Sequence, residues 1–192
     1  NLWSKNHPPN IQTMKKVFII SLSILFVSCG TSPQKPLVTQ PIKASSGEMI
    51  LLGKINMANL QSSDVSSWFK EEYNKVSVDP QWGKDLQPYL KDLKIKVFMG
   101  TWCEDSQREI PHFFKLLDAL DFDQRHLEMY AMSEEKTTPQ NFEKGLEVFN
   151  VPTLIFFRNG NEINRFVELP VNSLESDIAK IIKGESYTHS YE

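Results

Sequence analysis

Residues 94–120 constrain the fold more than any other stretch of this 192-residue chain. Lys94-Ile95-Lys96-Val97-Phe98-Met99 alternates polar and apolar residues and then turns wholly apolar, as a strand does when it runs from a half-covered edge into a core. A short turn leads into 106–120, where Ile110, Phe113, Phe114, Leu117 and Leu120 fall on one helical face. The same alternation continues downstream. A strand is expected over 127–132 and a helix over 139–149, with Thr138 as its cap and Pro139 in its first turn. An apolar strand follows at 151–157. Arg158-Asn159-Gly160-Asn161 then supplies the positive φ of a tight hairpin turn into 162–167. Leu174, Ile178, Ile181 and Ile182 give 173–183 the apolar face of a closing helix. Upstream, 49–55 reads as a strand, 64–73 as a helix carrying Val65, Trp68, Phe69 and Tyr73, and 84–92 as a shorter helix. Strands alternating with helices and ending in a hairpin and a helix predict an α/β sandwich around a mixed sheet.

Composition removes several function classes. Apolar residues make up 40% and charged residues 23%, which excludes a chain too polar to bury a core. Net charge is −3 and no Lys/Arg block is interleaved with aromatics, so the footprint of a nucleic-acid binder is missing. With only two cysteines, Cys29 and Cys103, there is no CxxC pair and no cysteine-rich zinc site. His112 lies within a predicted helix and His126 has no Cys/His cluster near it. No metal and no cofactor are assigned.

Cys29 is read from what precedes it. Met14-Lys15-Lys16 is a short basic start, and the apolar run 17–27 has the length of a secretory signal, too short to cross a bilayer, which takes about 18–20 residues. Residues 1–13 precede Met14, read as the initiator, and are expected to have no role. Phe26-Val27-Ser28-Cys29-Gly30 resembles a bacterial lipobox, with Phe26 where Leu is usual. Residues 14–28 are then the signal, and Cys29 is the lipidated N-terminus that holds the protein at the periplasmic face of a bacterial membrane; the alternative is an unprocessed signal with an incidental cysteine. Acyl chains contribute roughly 0.8 kcal/mol per buried CH₂, enough for lasting attachment. Removing 1–28 takes away Lys5, Lys15 and Lys16 and no acid, so the net charge passes from −3 to −6. The Ser/Thr/Pro-rich stretch up to residue 48 reads as a tether, reaching about 60 Å when fully extended. The tail 184–192 is polar and expected to be loose.

Cys103 sits between a strand and a helix, where unpaired backbone N–H groups and the positive helix end favour a thiolate, while Glu104 and Asp105 oppose it. Gly100-Thr101-Trp102-Cys103-Glu104-Asp105-Ser106 resembles the active-site turn of the thioredoxin superfamily, with Ser106 in the place of the second cysteine. Pro111 matches the kink proline of that helix. Asn150-Val151-Pro152-Thr153 resembles the cis-proline loop, and 157–162 the final hairpin. The resemblance covers 94–183. Residues 49–93 look like the N-terminal extension of thioredoxin-like lipoproteins of Bacteroidetes-type bacteria. The implied fold is thioredoxin-like, a mixed central sheet flanked by helices.

The resemblance also carries expectations about the site. Cys103 and Ser106 are the catalytic positions, and Trp102, Val151 and Pro152 bind the substrate. Val97 stands where the family carries a buried acid. Counting eight residues from Gly160 places Glu168 beside the turn, so that Glu104, Asp105 and Glu168 would ring the thiol and modulate it; a plain surface role for Glu168 is the alternative. Two functions follow. Cys103 acts as a monothiol, forming mixed disulfides with cysteine-containing proteins or peptides, or with small thiols, in exchange or isomerisation. Otherwise the groove is a non-redox module that binds a peptide or partner.

Overall fold

The computed structural model describes residues 39–192, and the expectations for the signal and for Cys29 fall outside the described residues. A hairpin of β1 (Ile42–Lys43) and β2 (Met49–Ile50) comes first, followed by β3 (Gly53–Ile55), α1 (Met57–Ser62), α2 (Trp68–Lys75) and α3 (Pro80–Leu86). Then come β4 (Leu93–Met99), α4 (Glu104–Ala119), β5 (Leu127–Ala131), β6 (Thr153–Arg158), β7 (Asn161–Val167) and α5 (Leu174–Lys183). The main sheet has five strands in the order β3-β5-β4-β6-β7; β4 and β5 are parallel and the other pairs antiparallel. This is the mixed α/β architecture expected, with β4 at its centre. Among the described residues no helix is long and apolar enough to cross a membrane.

Side-chain alternation along the central strands divides the core in two. Leu93, Ile95, Val97 and Met99 of β4 and Leu154 and Phe156 of β6 face a large cluster shared with Ile110, Phe113, Phe114 and Leu117 of α4 and Ile178 and Ile182 of α5. Phe98 and Ile155 face the other way, onto Tyr130, Met132, Val148 and Val151. Local chemistry sets the helix ends. The Asn56 side chain accepts from the Asn59 N–H and the Asn59 side chain from the Asn56 N–H, a reciprocal cap for α1. Asp79 caps α3 ahead of Pro80. Ser173 caps α5, and Gly184 ends it in the left-handed region.

The helix expected over 84–92 instead starts at Pro80 behind its Asp79 cap and ends at Leu86, with a 3-10 turn over Gln87–Tyr89. Three further expectations are corrected. The strand over 49–55 is two strands, because Gly53 at φ +95° turns the chain: β2 pairs with β1, whereas β3 joins the edge of the main sheet. The helix over 139–149 does not form. Asn141, Gly145 and Glu147 have φ of 55°, 79° and 52°, and the backbone bonds close three residues back (Asn141 to Thr138, Lys144 to Asn141, Leu146 to Glu143) as separate turns. Thr138 does cap, accepting from the Phe142 N–H at 2.9 Å, but it closes one turn only. These turns seat Phe142 flat on Tyr130, ring centroids 4.5 Å apart, in place of a helix face. Lastly, the expected tether joins the folded unit from Thr39 onward: Thr39 Oγ1 donates to the Lys54 carbonyl at 2.7 Å, and Ser45 Oγ donates to Glu134 at 3.0 Å.

The helices press closely on one another. A Cβ on Gly83 of α3 would stand 1.9 Å from the Ala119 carbonyl oxygen at the end of α4. Neither backbone can yield without moving a helix, so Gly83→Ala is expected to destabilise the fold by about 1–3 kcal/mol or more, read as a lowered denaturation midpoint.

Candidate functional site

The site is built at the carboxyl end of β4. Gly100 follows the strand, and its buried N–H donates to Ser106 Oγ at 3.1 Å, tying the strand end to the first turn of α4. Ser106 is fully buried. Cys103 is the N-cap of α4, with extended backbone at φ −90° and ψ 121°; its N–H donates to the Gly100 carbonyl at 3.1 Å, and its carbonyl accepts from the Gln107 N–H at 2.9 Å. The Gln107 side chain also donates to the Thr101 carbonyl at 2.8 Å. Pro111 lies within α4 and is buried.

Two loops close on the thiol. Cys103 Sγ, partly exposed, donates to the Val151 carbonyl at 3.1 Å, and the Val151–Pro152 peptide is cis. Thr153 Oγ1 donates to the Asn150 carbonyl at 2.7 Å, and the Glu168 N–H donates to the Pro152 carbonyl at 2.7 Å, which fixes this loop to the end of β7. On the other side Trp102 folds back over Gly100. A Cβ there would stand 2.6 Å from the indole, so any larger residue would displace the ring. Trp102 Nε1 donates to the Met132 carbonyl at 3.0 Å, and Lys136 Nζ lies 5.3 Å from the indole centroid.

The expected acids do not act as one group. Glu104 is exposed. Asp105 is paired with Arg108 Nη2 at 2.6 Å, and Arg108 Nε reaches the buried Glu109 at 2.7 Å. Burial pushes the Glu109 carboxyl up, against the pull of Arg108. Glu168 stands beside the cis-proline loop through its backbone, while its carboxylate accepts from the Tyr191 hydroxyl. Val97 is fully buried, so no acid occupies that position beneath the turn.

Trp102, Cys103, Ser106, Val151 and Pro152 are therefore brought together, and Glu168 meets them by its main chain. Several contributors escaped the sequence reading. Arg108 could have been found as the i+3 partner of Asp105. Lys136, the Met132 carbonyl and Tyr191 are long-range neighbours with no local signal. So is Leu51, whose buried N–H donates to Thr101 Oγ1 at 3.2 Å and joins the N-terminal segment to the turn. Among the described residues no cluster of His, Cys, Asp and Glu is placed to hold a metal ion. His112 instead bonds Glu175 at 2.7 Å.

Sheet order, the cysteine at the helix N-cap and the cis-proline facing it define a thioredoxin-like fold. No family model matches the chain. Its sequence is similar to a thioredoxin-like protein of Acanthamoeba polyphaga mimivirus, 28% identical over 90 residues, covering 47% of this chain and 63% of that protein. It is also similar to thioredoxin domain-containing protein 2 of Rattus norvegicus, 24% identical over 102 residues, 51% of this chain and 18% of that one. The matched stretch thus spans less than two thirds of either relative. Among solved structures, mitochondrial thioredoxin 3 of Saccharomyces cerevisiae aligns over 58% of this chain and 97% of its own, at 19% identity and a TM-score of 0.36. The fold assignment rests on the topology of this chain.

Ser106→Ala would leave the buried Gly100 N–H without an acceptor, which costs about 1–3 kcal/mol. Ser106→Cys keeps a weak sulfur acceptor and should lose less. Denaturant unfolding of the two variants, side by side, reads the difference.

Proposed function

We propose that the protein carries out monothiol thiol–disulfide exchange through Cys103, at the periplasmic face of a bacterial membrane to which Cys29 anchors it by lipid. The observation that carries the reading is the Cys103 thiol at the N-cap of a sixteen-residue helix, 3.1 Å from the carbonyl of the residue before a cis-proline, in a chain whose relatives are thioredoxin-like. The helix end offers unpaired N–H groups to a developing thiolate. Pairing with Arg108 takes Asp105 away from opposing it. Glu104 points to solvent and is screened there.

The chemistry follows from what occupies position 106. Cys103 gives up its proton to water and attacks one sulfur of a disulfide. A new S–S bond forms to Cys103, the old one breaks, and the departing sulfur leaves as a thiolate that takes up a proton. Ser106 has no sulfur to attack the adduct, and its hydroxyl is engaged with Gly100. Resolution therefore falls to an external thiol, which attacks the mixed disulfide and returns Cys103 to its reduced form. Exchange and isomerisation conserve the number of disulfides and need no second cysteine; net reduction without an external thiol does need one. Substrates are cysteine-containing proteins or peptides, or small thiols.

Wild-type protein mixed with a disulfide peptide and no added thiol should accumulate a covalent adduct at Cys103, seen by non-reducing mass spectrometry. Ser106→Cys should release it, and Cys103→Ser should form none. Catalytic turnover by the wild type without added thiol would overturn the monothiol mechanism. Fast alkylation of Cys103 supports exchange; an inert thiol returns the groove to a non-redox partner-binding role.

The anchor is tested separately. Cells fed a labelled fatty acid should incorporate it into the wild type and not into Cys29→Ser, and label retained in that variant would remove the membrane assignment.

A further inference from the structure

The tail, expected to be loose, is held against the fold. After α5 the chain turns back along β7: Asn164 Nδ2 donates to the Tyr187 carbonyl at 2.9 Å, and Ser190 Oγ donates to the Leu169 carbonyl at 2.7 Å. The root of this return is a buried carboxylate. Asp177 is fully buried, accepts from the Val171 N–H at 2.6 Å, and faces the Tyr187 hydroxyl at 3.5 Å. Burial together with Asp177 pushes the Tyr187 phenol well above its ordinary range, so it stays a donor at every physiological pH.

The far end meets the site. The Tyr191 hydroxyl donates to Glu168, the residue whose N–H bonds Pro152. His189 and Tyr191 thereby wall a cavity of about 470 Å³ whose other side includes Phe149, Asn150, Thr153 and Val167. Phe149 is 75% exposed and sits two residues before Val151. An extended chain lying along 149–153 would need the space that Tyr191 borders. Cys103 is partly exposed and does not line that cavity, so a small molecule can meet the thiol without entering it.

We propose that residues 187–191 are a strap that determines which substrates reach Cys103: small disulfides and thiols pass it, whereas a protein chain must first lift Tyr191 from Glu168. The inference rests on the exchange reading given above and narrows its substrate class. Closure is reversible, because Tyr191 is 53% exposed and its hydroxyl is held by polar contacts at the surface, while Tyr187 keeps the root in place. Small thiols are also the class of reagent that must resolve a monothiol adduct, so a closed strap leaves the resolving step open.

The test uses the full chain and reads only the Cys103-containing peptide by mass spectrometry, so that Cys29 does not contribute. Alkylation rates are measured with N-ethylmaleimide and with a maleimide carried on a bulky polymer. Tyr191→Ala, at an exposed position, should speed the polymer reagent by about threefold to tenfold and leave N-ethylmaleimide within about twofold, the scale set by losing one ordinary solvent-exposed hydrogen bond. Tyr191→Phe, which keeps the ring, should fall between. Equal acceleration of both reagents, or none, overturns the strap. Mixed-disulfide formation with 2-hydroxyethyl disulfide and with a disulfide-bonded peptide is followed in the same proteins. Size-dependent alkylation with no adduct from either disulfide would sink the exchange reading and leave the strap. Adducts formed equally with both, unchanged in Tyr191→Ala, would sink the strap and leave exchange.

Discussion

The bond from the buried Gly100 N–H to Ser106 Oγ joins the central strand to the central helix, and the site is arranged around it. It brings the first turn of α4 back under the end of β4, which puts Cys103 at the N-cap with its thiol outward toward Val151. Absence of a side chain at Gly100 lets the Trp102 indole lie across that junction and bond Met132. The hydroxyl at position 106 is a structural acceptor, so the residue three positions after Cys103 is the one that shapes the turn.

The N-terminal segment takes part in the same construction. β3 pairs with β5 and so becomes one edge of the main sheet, and Leu51, between the hairpin and that edge, donates its backbone N–H to Thr101. Ser45 reaches Glu134 and Glu135 in the loop that carries Lys136, whose ammonium lies over Trp102. The turn around Cys103 is therefore braced from the N-terminal side as well as from the cis-proline side.

Much of this was legible from local pattern. The alternation in 94–99, the apolar face of 106–120 and the Asn159-Gly160 turn each carry their conformation in a few adjacent residues, and β4, α4 and the β6–β7 hairpin follow. Cys103, Trp102 and Pro152 were readable because an ordered set of short motifs brings them to one end of the sheet. The failures have a common cause. Residues 139–149 show helical spacing, but three positive-φ residues and the stacking of Phe142 on Tyr130 reward separate turns; Asn141 and Gly145 mark that locally, whereas the stacking is a tertiary preference with no local mark. The tail looked unattached for the same reason: Tyr187, Ser190 and Tyr191 find their partners at Asp177, Leu169 and Glu168, each 10 or more residues away.

Replacing a helix by turns on the second face changes how the cis-proline loop is suspended. A helix frays from its ends and otherwise melts as a unit, because each of its bonds depends on the dihedrals its neighbours share. The turns at 138–146 share less, since each closes a single three-residue backbone bond, although they meet at Asn141 and overlap at 143–144. They are fastened to the sheet at separate points, by Phe142 on Tyr130 and by Arg165 donating to the Leu146 carbonyl at 2.7 Å. The chain entering Val151 is accordingly a run of linked turns held by few backbone bonds, while the chain leaving Pro152 is an interior β-strand. In hydrogen exchange the two sides of one peptide bond would belong to different regimes, subglobal before it and near-global after it. The wall facing the thiol can yield there without loosening the sheet that positions Cys103.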